Sequence, residues 1–160
     1  MIATRTSIAK VAALALIPLA LVGVAVAPQL SARLNGDEYR LRVQPVDPID
    51  PLRGAYVDLG YTDFDHQQIE ALDGEGTLYI TLEQDGEVWV PKDYTRERPT
   101  STPYLTCDEQ DWRVRCGIES LFLPQDEAAA MQEAVAGGQM VAVVKVDSRG
   151  RAALIRVEKA

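Results

Sequence analysis

The chain has 160 residues, with 16 Lys and Arg against 24 Asp and Glu, a net charge of -8, one His and two Cys. That length accommodates one globular domain rather than two. Arg5 and Lys10 are the charges of the first 28 residues, so the remainder is more acidic than the whole, which argues against a basic platform for nucleic acid.

Residues 11–28 (VAALALIPLALVGVAVAP) carry no charge and no side-chain hydrogen-bonding group, and Ile8 and Ala9 extend the run beyond Lys10. A helix needs roughly 20 such residues to cross a hydrocarbon core, so the segment is just long enough. The basic flank at residues 1–10, with no acid, predicts a cytoplasmic N-terminus and an extracytoplasmic remainder. Ala25-Val26-Ala27 has the small-x-small form of a cleavage site, but Pro28 follows it and the run exceeds a usual signal core. A retained anchor is therefore expected over a cleaved signal, in the cytoplasmic (inner) membrane.

Residues 29–38 form a polar connector, and residues 39–160 read as one β-rich extracytoplasmic domain. Strands are expected at 39–43 and 54–61, the second placing Ala55, Val57, Leu59 and Tyr61 on one face. VDPIDPLRG between them reads as a rigid turn. Residues 77–82 alternate Leu78, Ile80 and Leu82 against Thr77, Tyr79 and Thr81, and Asp85-Gly86 supplies a tight hairpin into Val88-Trp89-Val90. Residues 91–103 hold three prolines without periodicity and read as a loop and contact surface. One short helix is expected near 125–136, with Ala128, Met131, Ala134 and Val135 on a single face. Ser148-Arg149-Gly150 joins strands at 140–146 and 152–157. The fold class is α+β, mainly antiparallel β, behind one N-terminal transmembrane helix.

Few residues suggest chemistry. Cys107 and Cys116 (CDEQDWRVRC) in an exported domain point to a disulfide pinning a β-hairpin. Asp47, Asp50, Arg53 and Asp58 could hold calcium or an anion, but Asp-Pro dipeptides also make turns by themselves, and the ligand comb of a calcium loop is missing. Lys145 shares a strand face with Val141 and Val143, where burial would prepare a general base, yet Ser120 and Ser148 stand in no nucleophile motif. His66 reads as a surface residue. No cofactor is expected.

Gly54-Ala55-Tyr56-Val57-Asp58-Leu59-Gly60-Tyr61 resembles the signature of the GDYXXLXY family of bacterial membrane-anchored proteins. The preceding DPIDPLR, with Asp47, Asp50 and Arg53, and the closing KVDSRGRAALIRV are similar to that family too. The departure is Ala55, where the family pattern has Asp; a member that lacks this carboxylate favours a structural part for Gly54, Tyr56, Leu59 and Tyr61. The resemblance implies a polytopic membrane protein as partner and brings no established activity. The expected function is thus a single-pass, membrane-anchored accessory or interaction protein of a membrane assembly. The rival readings are an envelope hydrolase of Ser/Lys or carboxylate type, and a calcium- or glycan-binding module using Asp47 to Asp58 with an exposed Trp89 or Trp112.

Overall fold

Alternating apolar side chains give the strands of this chain one face to bury, and two antiparallel sheets result. The computed structural model describes residues 2–45, 56–101, 103–110, 113–122 and 140–160. Asp47, Asp50, Arg53, Gly54, Ala55, Trp112 and the helix expected near 125–136 lie outside the described residues. A long helix, α1 (Ile2–Asn35), leads into β1 (Asp37–Pro45) and β2 (Tyr56–Tyr61), then a short helix α2 (His66–Glu70). The strands β3 (Gly76–Asp85), β4 (Val88–Thr95), β5 (Tyr104–Gln110), β6 (Arg113–Arg115), β7 (Ser120–Phe122), β8 (Met140–Val146) and β9 (Ala152–Lys159) follow. One sheet runs β7-β2-β1-β8-β9 and the other β4-β3-β5-β6.

The two sheets share one core. Leu78, Ile80 and Leu82 of β3 and Leu105 and Cys107 of β5 join Leu41 and Val43 of β1 and Ala142, Val144 and Val146 of β8 in a single buried cluster. Burial of each such aliphatic side chain stabilises the fold by about 1.5–3 kcal/mol, so this cluster dominates its stability. Trp89 of β4 meets Tyr39 of β1 edge to face, with ring centroids 5.0 Å apart, which fastens the sheets at a second place.

Several expectations hold in detail. The alternation of 77–82 appears as buried Leu78, Ile80 and Leu82 within β3. The hairpin to β4 turns through Gly86, at φ +65°, and Glu87, one residue later than expected, because Asp85 still pairs with Val88. The β8–β9 hairpin is present, with Asp147–Arg151 as its connection.

Three differences are equally informative. The segment 29–38 expected as a connector is helical as far as Asn35, and β1 begins at Asp37. Its helicity is sustained by docking, since Ala32 is wholly buried against the sheet. Residues 91–103 are not all loop: β4 continues through Pro91 to Thr95. Proline is tolerated there because β4 is an edge strand and the register shifts beside Pro91, between Thr81 and Leu82, while the Leu82 N–H turns to the Pro103 carbonyl at 3.0 Å. Helix α2 was not expected. Asp65 caps it by accepting from the Gln67 and Gln68 amides at 2.9 and 3.3 Å, and the signal D-x-x-Q, in which the Gln68 side chain bonds back to Asp65, was present in the sequence.

Helix α1 is long and apolar enough to cross a membrane. Every large apolar side chain left exposed among the described residues, from Leu14 to Leu34, belongs to it. Pro18 and Pro28 lie inside it, as membrane-crossing helices tolerate.

Candidate functional site at the foot of the apolar helix

Where the apolar run ends, polar residues tie the last turns of α1 to the β-domain. The Gln29 amide donates to the Gly117 carbonyl at 3.1 Å, and the Ser31 hydroxyl donates to Asp147 Oδ2 at 2.6 Å. Arg33 donates to the Leu154 carbonyl at 3.2 Å, and the Lys145 ammonium donates to the Arg33 carbonyl at 3.3 Å, where the helix leaves carbonyls unpaired. Gly36 then lets the chain pass against Val146. A Cβ added at Gly36 would stand 2.5 Å from the Ala32 oxygen and 2.9 Å from two Val146 backbone atoms.

The β8–β9 connection is the first segment gripped by the helix. Asp147 Oδ1 accepts from the Arg149 and Arg151 amides at 2.9 and 3.0 Å, so one carboxylate shapes the turn and holds Ser31. The turn also docks on the second sheet: the Thr106 N–H donates to the Gly150 carbonyl at 2.8 Å and its hydroxyl to the Arg149 carbonyl at 2.9 Å. Gly150 sits at φ +75° with the Tyr104 ring 2.5 Å from where a Cβ would be, so only glycine fits.

Burial works to raise the Asp147 pKa, but the hydrogen bonds from Ser31, Arg149 and Arg151 and the Arg151 charge outweigh it, leaving the carboxyl below its ordinary value. A depressed native pKa contributes stability that is complete above the unfolded value of about 3.9 and is lost as pH falls through the native one. Asp147→Ala is expected to destabilise by about 1–3 kcal/mol at pH 7, because three donors lose their acceptor. Thermal melts of both proteins between neutral and acid pH should converge as pH drops below about 4; parallel curves would contradict this account.

The second gripped segment follows the disulfide. Cys107 of β5 is bonded to Cys116, as the sequence predicts, and closes the β5–β6 hairpin. Beyond it, the Glu119 carboxylate accepts from the Cys116 amide and from the Gly117 amide at 3.0 Å, and Gly117 adopts φ +81°. Two residues of the GAYVDLGY motif hold this loop from the other side. The Leu59 N–H donates to the Glu119 carbonyl at 2.8 Å, and the Tyr61 hydroxyl donates to the Ile118 carbonyl at 2.7 Å. Leu59 is buried, and Phe64 stacks on Tyr61 with centroids 5.1 Å apart. Burial, with the Glu119 charge beside it, pushes the Tyr61 pKa well above its ordinary value, so the phenol stays a donor. Tyr56 begins β2, paired with Phe122 of β7.

The remaining candidates are not brought together. Lys145 lies on an interior strand, not an edge, and its ammonium is directed to the helix end. Ser120 lies in β7 opposite Asp58, and Ser148 is exposed in the turn, its carbonyl accepting from Tyr104. His66 is exposed at the start of α2, and Trp89 is partly buried against the core. Among the described residues no three His, Cys, Asp or Glu side chains gather where they could hold a metal ion.

Sequence reasoning missed the convergence of Gln29, Ser31, Gly117 and Asp147. Its one local signal was the polar run QLSARLN directly after the apolar segment, which marks a helix leaving a hydrophobic environment without naming its contacts.

The fold and this site together define a class: a two-sheet antiparallel β-domain locked to the end of an N-terminal helix able to cross a membrane. The family model described as GDYXXLXY protein matches residues 18–157, and the chain belongs to the GDYXXLXY family. Neither a curated protein nor a solved structure matches it.

Proposed function

We propose that the protein is a single-pass, membrane-anchored accessory subunit of a membrane assembly, with its β-domain outside the cytoplasm and a polytopic membrane protein as partner. The supporting observation is the locked foot of α1. An anchored enzyme serving soluble substrates needs only a flexible tether. Here Gln29, Ser31, Arg33 and the Gly36 crossing hold the domain in one posture relative to the helix. A fixed posture is useful where the domain must meet neighbours in the same membrane.

Local chemistry supports this orientation and retention. Arg5 and Lys10 precede the apolar run and favour a cytoplasmic N-terminus, and a disulfide agrees with an oxidising compartment. The helix runs unbroken through Ala25-Val26-Ala27-Pro28 into its docked turns, which supports the reading of a retained anchor.

The test is purification of the tagged full-length protein from native membranes in mild detergent, with stoichiometry read from the co-purifying chains. A near-stoichiometric polytopic protein is expected. A clean, partner-free chain at native expression would overturn the accessory-subunit reading.

A further inference from the structure

We infer that the face of the β-domain around the foot of α1 is a binding surface for anionic lipid headgroups, formed by Arg115, Arg149 and Arg151 with Arg98 beside them. The inference rests on the anchored reading above and goes beyond it by assigning a ligand class to named side chains.

The heights of the contacts place the backbone from which these arginines project. A hydrocarbon core of about 30 Å within a bilayer of about 40–45 Å leaves a headgroup layer of roughly 5–8 Å on each side. The uncharged run ends at Pro28, and five residues of helix rise about 7 Å, so residues 29–33 traverse that layer. Gly117 and Asp147 are bonded to Gln29 and Ser31, within it. Arg115 is two residues from Gly117. Arg149 and Arg151 donate their backbone N–H groups to the same Asp147 carboxylate that holds Ser31. Arg98 bonds to the Tyr104 hydroxyl at 2.8 Å, which in turn donates to the Ser148 carbonyl of the same turn. Arg98, Arg115 and Arg149 are exposed, and Arg151 is half-buried.

Four arginines, Arg98, Arg115, Arg149 and Arg151, gather at this level of a chain that is acidic as a whole. The whole chain carries -8; of the acids bonded into the gripped segments, Glu119 has its carboxylate on backbone N–H groups, and Asp147 is held by Ser31 and two backbone N–H groups with the Arg151 charge beside it. Asp108 stands opposite Arg115 in the β5–β6 ladder, and Asp37 is paired with Val146, next to Asp147, so acids and arginines are interspersed at this level. An acidic domain held rigidly beside a leaflet that contains anionic lipid would be repelled from it; arginines on the face nearest the lipid offset that repulsion and offer headgroup phosphates planar, multidentate donors.

The experiment places the full chain in nanodiscs of equimolar phosphatidylcholine and phosphatidylglycerol, extracts it in mild detergent and counts retained lipids by native mass spectrometry. Wild type should retain phosphatidylglycerol preferentially. Arg115→Gln, Arg149→Gln and Arg151→Gln should each lower that preference about fivefold, and the triple variant should abolish it. Lys92→Gln, the same charge change on β4, should leave it unaltered. Equal retention of both lipids by wild type, or an unchanged preference in the triple variant, overturns the inference. Loss of a co-purifying protein with no lipid preference would do so too, assigning the arginines to a protein partner. Alkaline extraction of the chain from native membranes separates the two readings: a chain that washes out defeats the anchor itself, whereas one that resists extraction without preferring anionic lipid defeats only the headgroup surface.

Discussion

Replacing Cys107 and Cys116 with Ser is expected to lower stability by about 2–3 kcal/mol, the loop-closure contribution of a bridge spanning so short a segment. That is a large share of the 5–15 kcal/mol that stabilises an ordinary domain. The effect should also be directional. Cys116 leads into the loop whose Gly117 carbonyl receives Gln29 and whose Ile118 carbonyl receives Tyr61, so freeing it loosens the helix foot as well as the β5–β6 hairpin. Denaturant unfolding of the double variant and of wild type, together with hydrogen exchange at Gly117 and Leu59, measures both consequences. Thiol labelling of the native chain should fail without a reductant. Ready labelling of both cysteines, or an unchanged unfolding midpoint, would show that the hairpin is held by the core alone.

Gly36→Val attacks the same junction from the helix side. All three nearest atoms are backbone, from Ala32 and Val146, so no side chain can swing aside. Overpacking of this kind costs about 1–3 kcal/mol, and relief requires the helix end to move away from β8. The Ser31–Asp147 and Lys145–Arg33 bonds should then be lost together, and the chain should become protease-sensitive near residue 36 while the two-sheet core keeps its circular dichroism. Gly23→Ala, inside α1 with nothing within 4 Å of the added carbon, is the matching control and should behave as wild type. Wild-type resistance to proteolysis in Gly36→Val would mean that the close approach is not what sets the posture of the domain.

These two variants also bear on the proposed role. If a membrane partner recognises the domain in a fixed orientation, Gly36→Val should lower its co-purification even though the variant still folds. Retained stoichiometry would point to recognition by the helix or by the domain surface independently of their mutual angle.

Much of this protein was legible one residue at a time. An uncharged apolar run behind a basic N-terminal flank defines a helix long enough to cross a membrane, because hydrocarbon penalises any unsatisfied polar group along its length. Strict alternation around Leu78, Ile80 and Leu82, and glycines at Gly86 and Gly150, define hairpins, because strand side chains alternate and L-residues resist positive φ. The cysteine pair and the GAYVDLGY motif were visible for the same local reason. What propensity obscured was local too: Pro91 reads as a strand breaker until β4 proves to be an edge, and 29–35 reads as a connector until docking makes it helix. Tertiary structure alone decided which sheet each strand joins and that Gln29, Ser31, Gly117 and Asp147 meet. Those contacts link residues up to 116 positions apart. They follow from the summed geometry of two packed sheets, which no short window of sequence contains.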